Sequence, residues 1–443
     1  MFIPAFLLTI SSDSIVYAQS AELTPQQRAD LQAELAKVEA EQKQAAIELA
    51  NAQNKSASLS RDISVLGAKI RSAELEIKAK NILIQSLGND ISQKEKKIDL
   101  LENRIEKNKD TLAQILRKTD ELDDITLPEL FLSNSSLANL VQDLDQFESV
   151  QYGLKNTFEQ IRSDKDSTTA EKEALDERRN KEMDAKYVIQ QQQKNIESNQ
   201  KEQKQLLAIS KGTEKSYQNL IAEKQARAAQ IRSALFSLRD AAAIPFGQAL
   251  EYAKLASQKT GVRPALILAI ITQESNLGSN VGKCYVTDMQ TGSGINAKTG
   301  NAINKVMNPS RDIPPFTTIL SQIGGEPTKQ VVSCPLEIGW GGAMGPAQFI
   351  PSTWMLFKDR VASAVGISGM PDPWNPHHAF TASAVYLGDL GAVSGSYTGE
   401  RNAACRYYSG KSCGAVRGNT TYGNSVMALA DNIQRNMIDP LSY

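Results

Sequence analysis

The sequence predicts a mainly α protein, a long antiparallel coiled-coil hairpin followed by a compact α-rich domain. Three observations carry that prediction. From Gln26 to about Arg239 the chain is rich in Glu, Lys, Gln, Ala and Asn, with no Trp and only Pro128, a composition that makes helix rather than globule. Apolar residues recur there at heptad spacing. Beyond it the chain turns to Gly, Pro, aromatic residues and Cys, and Trp340, Trp354 and Trp374 all lie in that part, as expected of a packed domain with functional loops.

The 443 residues, 41% of them hydrophobic, suffice for more than one domain. A mean hydropathy of -0.35 means that much of the chain is not core. The formal charge of -1 gives no global field for nucleic acid, which is therefore not expected as a partner.

Residues 1–20 read as a signal-like segment. MFIPAFLLTI is too short to span a bilayer, and Val16 and Ala18 in VYAQS fit the small-residue rule for signal cleavage. The segment departs from the usual pattern in one respect, since no Lys or Arg precedes Arg28. Export is the expectation.

Residues 21–240 read as the coiled coil. From Leu59 the apolar positions step by four and three through Ile63, Leu66, Ile70, Ala73, Ile77, Ile84, Leu87, Ile91, Ile98, Leu101, Ile105, Leu112 and Ile115, with Lys80, Lys94 and Asn108 as polar interruptions. A more polar seam follows Leu154, Phe158, Ile161, Leu175, Ile189, Ile196, Leu207, Tyr217, Ile221, Ile231 and Leu235. Between them Pro128 stops a helix and the Ser133–Ser136 cluster offers caps, so residues 119–153 form the predicted tip. Arms on the order of 90 residues would reach roughly 130 Å. A parallel dimer, each seam meeting its copy, is the alternative.

Residues 241–247 read as a hinge and 248–440 as the second domain. Helices are expected from Pro264 through Ala265 onward, over PSTWMLFKDRVASAVG, and over AFTASAVYLGDL, with any sheet minor and Val331–Ser333 its candidate strand. Four cysteines, Cys284, Cys334, Cys405 and Cys413, form no CxxC pair, which argues against a metal knuckle. Of the three pairings, Cys284 with Cys334 and Cys405 with Cys413 keeps the loops short; the alternative is four reduced core thiols. His377 and His378 are adjacent with no further His, which argues against a zinc set and suggests loop residues. No metal or cofactor is expected. Trp354 and Trp374 suit either sugar stacking or core packing.

Ala265 to Glu274, ALILAIITQE, is a helix apolar nearly all round that closes on a carboxylate. Glycosidic cleavage needs a proton delivered to the leaving oxygen from a donor still protonated near neutral pH, and burial at the end of an apolar helix raises a carboxyl in that direction. The plainer alternative is a Glu that solvates a helix end.

The stretches ITQESNLG, GWGGAMGPAQFIPSTW, DPWNPHHAFTASAVYLGDL and ACRYYSG occur in the order found in lytic murein transglycosylases. From about Phe246 to Met437 the chain resembles that lysozyme-like family, which cleaves peptidoglycan glycan strands. The resemblance implies a lysozyme-like fold, Glu274 as the catalytic acid, and Gln348 in the sugar site with Ser275, Gly345, Phe349 and Tyr386. It also places Tyr407 near the acid. Where the commoner motif has Asn after that Tyr, this chain has Tyr408. The segment from Asn276 to Leu336 resembles an elaborated substrate-binding lobe. In the family one Glu serves as acid and then base, the substrate's N-acetyl group and 6-hydroxyl replace a second carboxylate and water, and 1,6-anhydro ends result. An ordinary glycosidase needs a second carboxylate; Asp288, Asp312, Asp372 and Asp389 are candidates, but none sits in a recognisable catalytic motif.

LPELFLSNSSLANLVQDLDQF resembles the coiled-coil tip of bacterial cell-separation proteins, which implies a membrane or divisome protein as partner. The expected function is an exported, cell-wall-associated lytic transglycosylase cutting the MurNAc-GlcNAc bond and positioned or regulated by its coil. A lysozyme-type hydrolase and a non-catalytic wall-binding scaffold are the alternatives.

Overall fold

The computed structural model describes residues 25–53, 59–123, 137–209, 219, 222–223, 226, 244–336 and 339–439. The chain divides into two units, Met1–Lys204 and Gln205–Tyr443. The signal-like segment and hinge residues 241–243 lie outside the described residues.

In the first unit α1 (Pro25–Gln53), α2 (Leu59–Asp123) and α3 (Leu137–Ile209) are long helices. The α2 seam is laid down as its heptads require: Leu66, Ala73, Leu87, Ile98 and Leu101 are buried, whereas Leu100 and Leu116, one step off it, are exposed. Pairing between α2 and α3 lies within one chain. Glu76 accepts from Gln192, Asp90 meets Arg178, Lys94 meets Glu171 and Arg104 meets Asp164, so partner numbers fall as seam numbers rise and the helices run antiparallel. At 1.5 Å per residue, the 65 residues of α2 extend about 100 Å, shorter than the expected arm.

Two features differ from the sequence expectation. The α3 seam passes through Asp164, Thr168, Leu175, Ala185 and Leu206, all buried, while Phe158 is 56% and Leu207 45% exposed. Leu175 is buried as its heptad position requires, but apolarity alone misplaced Phe158 and Leu207, because the seam also contains polar groups that are satisfied across the interface: Asp164 by Arg104 and Glu171 by both Lys94 and Lys97. In addition α1 packs antiparallel on α2, burying Val38 and Ala45, seven residues apart, with Glu48 meeting Arg71 and Glu34 meeting Lys78. Tyr217, Ile221, Ile231 and Leu235 lie outside the described residues. So do residues 124–136 of the predicted tip, Leu127, Leu130, Phe131 and Leu132 included, and the side chains of Leu137, Leu140 and Val141.

The second unit is built around α5 (Pro264–Ser275), packed by α4 (Phe246–Thr260), α8 (Pro376–Asp389) and α10 (Asn419–Ile433). Every side chain from Ala265 to Ile271 is fully buried, which is why this stretch is apolar on all faces. Each of its large aliphatic side chains contributes about 1.5–3 kcal/mol by burial, and Ile270→Ala would cost roughly 2–5 kcal/mol. Pro264 opens the helix where its missing N–H has no partner to lose.

Further helices are α6 (Ile313–Ile323), α7 (Pro351–Val365) and α9 (Tyr397–Ser409). The sheet is a small antiparallel meander, β1 (Cys284–Val286), β2 (Gly294–Asn296) and β3 (Ala302–Ile303). Val332 makes only isolated bridges to Cys284 and Met344, so the Val331–Ser333 run is not a strand of the sheet. The meander belongs to the 276–336 segment, which also contributes α6. Two disulfides form, Cys284–Cys334 and Cys405–Cys413, and among the described residues no thiol is free.

Candidate active site

Glu274 ends α5, and the chain turns sharply after it. Asn276, Leu277 and Gly278 take φ values of 51°, 52° and 81°, three successive left-handed residues. The backbone thereby leaves the helix axis directly after the residues that end α5. Glu274 is partly buried with an opening to solvent.

The neighbouring Ser275 is fully buried and does not face solvent. Its hydroxyl donates to Pro346 O at 2.7 Å and accepts from Gly278 N at 2.9 Å, joining the end of α5 to the loop Gly345–Phe349. That loop is held at each carbonyl in turn. Gln348 Nε2 donates to Gly345 O at 2.8 Å, Ser275 takes Pro346 O, and the Tyr407 phenol donates to Ala347 O at 2.9 Å. Gly345 has φ 61°, and a Cβ there would lie 1.9 Å from Pro373 O, so only glycine fits. Gln348 itself is held at φ 54°, an uncommon conformation for a non-glycine residue that the surrounding hydrogen bonds impose.

Behind the loop stands an aromatic cluster. Phe349 packs within ring-centroid distances of 6.0 Å of Trp354, 5.6 Å of Tyr386 and 5.6 Å of Tyr407. Trp354 is 1% exposed and donates to Pro371 O, which makes it core rather than a sugar platform. Trp374 packs edge-on against Phe316 and donates to Val331 O. His377 and His378 sit in the first turn of α8, not in a loop; Asn375 caps their backbone N–H groups, His377 stacks on Tyr252, and His378 Nδ1 accepts from Asp372 N.

The residue that touches the acid is Tyr422, from α10, whose phenol donates to Glu274 Oε1. Burial raises the Glu274 carboxyl above its ordinary value, and the Tyr422 hydrogen bond opposes that rise because it favours the charged form. Burial and the nearby Glu274 charge push both Tyr422 and Tyr407 upward, so each phenol stays a neutral donor. Tyr407 thus feels the acid electrostatically while its hydroxyl is committed to Ala347 O. Sequence reasoning missed Tyr422, which lies in no motif; its only signal is helical spacing within Asn419–Ile433.

No second carboxylate acts on Glu274 among the described residues. Asp288 accepts from its own turn at Gln290 and Thr291, Asp312 from Ser352 and Arg311, Asp372 from Trp374 N, and Asp389 from Arg360. Buried Glu400 is paired with Arg263. Among the described residues no group of three His, Cys, Asp or Glu is placed to hold a metal ion.

Residues 184–403 match the family model described as Transglycosylase SLT domain. The chain carries a transglycosylase SLT domain. The matched range begins within α3, contains Glu274, the Gly345–Phe349 loop and Tyr386, and stops within α9 before Tyr407 and Tyr422. No match is found among curated proteins or among solved structures. An SLT domain acts on cell-wall peptidoglycan, and the two disulfides agree with an extracytoplasmic place of action. No described helix is long and apolar enough to cross a membrane.

Proposed function

We propose that the protein is an exported peptidoglycan lytic transglycosylase that cleaves the MurNAc-GlcNAc bond with Glu274 as its single catalytic carboxyl. The observation that carries this reading is a partly buried Glu whose carboxyl is raised by burial, hydrogen-bonded by Tyr422, and acted on by no other acid among the described residues. In its protonated form, which burial favours, it gives its proton to the departing GlcNAc oxygen as the glycosidic bond breaks. The substrate's N-acetyl oxygen supports the developing positive charge at MurNAc C1. The Glu274 carboxylate then takes the proton of the 6-hydroxyl as that oxygen bonds to C1, closing the 1,6-anhydro ring and restoring the acid.

In this reading the Gly345–Phe349 loop walls the sugar site, with Gln348 facing the glycan and Phe349, Tyr386 and Tyr407 setting the wall from behind. Ser275 contributes by fixing the loop to the acid's own helix. The coiled coil positions or regulates the enzyme, its tip docking on a membrane or divisome protein; the support for this is the length of the arm and the resemblance of the tip sequence.

Glu274→Gln removes the transferable proton at nearly constant volume. It is expected to cut cleavage of purified peptidoglycan by roughly 10²–10⁴-fold while leaving the circular dichroism spectrum unchanged. Turnover near that of the wild type would move the acid elsewhere.

A further inference from the structure

Tyr407 and Tyr408 are consecutive on α9, so their side chains leave the helix about 100° apart. Tyr407 enters the aromatic cluster. Tyr408 turns outward over α10, where its ring stacks on Tyr422 at a centroid distance of 4.9 Å and an interplanar angle of 23°. Tyr422 in turn hydrogen-bonds Glu274. One face of the Tyr408 ring is therefore committed to the phenol that orients the acid, and the residue as a whole remains 56% exposed.

A single exposed aromatic needs no explanation. This one differs in being anchored. Stacking on Tyr422 restricts its rotation, so little ordering entropy would be lost when a ligand covers the remaining face. The open face of a fixed aromatic ring is apolar, with a polar hydroxyl at its rim, and it matches the C–H face of a pyranose whose hydroxyls point outward. Its place, one ring removed from the carboxyl, is close to the bond that Glu274 would protonate.

We infer that Tyr408 is a glycan-binding residue, a stacking platform for a sugar ring beside the scissile bond. This rests on the proposed glycan cleavage at Glu274. Affinity for the sugar should depend on the ring and not on its hydroxyl, and it should be separable from the protonation of Glu274.

The test uses the full chain with Glu274→Gln, which binds without turning over, and measures affinity for purified, peptide-free glycan strands by calorimetry. Adding Tyr408→Ala is expected to weaken binding about tenfold, the equivalent of ~1.4 kcal/mol of lost stacking, whereas Tyr408→Phe retains it. In the active enzyme Tyr408→Ala is expected to raise KM while leaving the pH dependence of kcat in place. Unchanged affinity in Tyr408→Ala, or a displaced pH profile with unchanged affinity, overturns the platform and leaves Glu274 untouched. Failure of the Glu274→Gln chain to bind glycan at all overturns the glycan reading itself, and the platform with it.

Discussion

Tyr422 and Glu274, 148 residues apart in sequence, meet through a hydrogen bond from the phenol to Oε1. The contact joins α10 to the end of α5. It sets two influences against each other on one carboxyl, burial raising it and the donor lowering it, with burial prevailing. The carboxyl and the group that orients it are thus supplied by different elements.

Removing that donor separates them. In Tyr422→Phe the charged form of Glu274 loses its hydrogen bond, so the carboxyl rises further and the alkaline limb of the pH–rate profile moves to higher pH. The rate at the optimum is expected to fall about tenfold, matching ~1.5 kcal/mol for one lost orienting hydrogen bond. A profile of kcat/KM against pH that is superimposable on the wild type would remove Tyr422 from the site's chemistry.

Folding stability should carry the same signature. Because the folded state raises the Glu274 carboxyl, its contribution is fully present below the unfolded carboxylate pKa and is lost as pH rises through the folded value. Glu274→Gln, which never ionises, is expected to melt higher than the wild type at neutral pH, and the difference should close below about pH 4. Melting curves across that range check the sign. A difference that grows on acidification would contradict it.

The loop that Ser275 ties to the end of α5 depends on Gly345. Gly345→Ala must displace Pro373 O from a Cβ 1.9 Å away and also hold φ at 61°, so a loss of at least about 2 kcal/mol in denaturant unfolding is expected, together with loss of cleavage. Gly366→Ala is the control. It has φ 76° but no atom within 4 Å of its Cβ, so it should cost only about 1 kcal/mol.

The Cys405–Cys413 bond closes the loop that leads into α10. Fully buried Asn419 organises that loop, accepting from Gly414 N and donating to Ser412 O, and Tyr422 lies one turn further on. Cys413→Ser is expected to lower stability by about 2–3 kcal/mol and to slow glycan cleavage by loosening Tyr422. Full activity alongside a lowered melting temperature would show that the loop does not position Tyr422.

The arm has its own pH dependence. Lys94 and Lys97 hold Glu171 down to about 2 from an ordinary 4.5, so its stabilisation is complete above 4.5 and lost as pH falls toward 2. Lys94→Ala with Lys97→Ala should lower arm stability at neutral pH and shrink the acid-induced loss of helix in that window. An acid transition identical to that of the wild type would show that the pairs contribute nothing to pairing.

Much of this was legible in the residues, and what was not has physical causes. The α2 seam could be read because Leu, Ile and Ala repeat strictly. The α3 seam could be read only in part: Leu175 is on it, but Asp164 and Glu171 occupy it too, and their place there depends on cations in the opposing helix. Helix α5 announced itself by total apolarity, whereas α1 is too polar to show the face it packs on α2. The meander at 284–303 is short and pinned by Cys284, with no alternating run to betray it. Glu274, Gly345 and Gln348 sit in local motifs and are visible in sequence. Tyr422 is not, since its role exists only after α10 is brought against α5.

The most direct measurement of the central claim is mass spectrometry of the glycan ends released from purified strands. The wild type is expected to release 1,6-anhydro ends and Glu274→Gln none, because one carboxyl acts as acid and then base and the substrate supplies the attacking hydroxyl. Reducing ends would contradict it, since they mean that water and not the substrate's own 6-hydroxyl attacks C1.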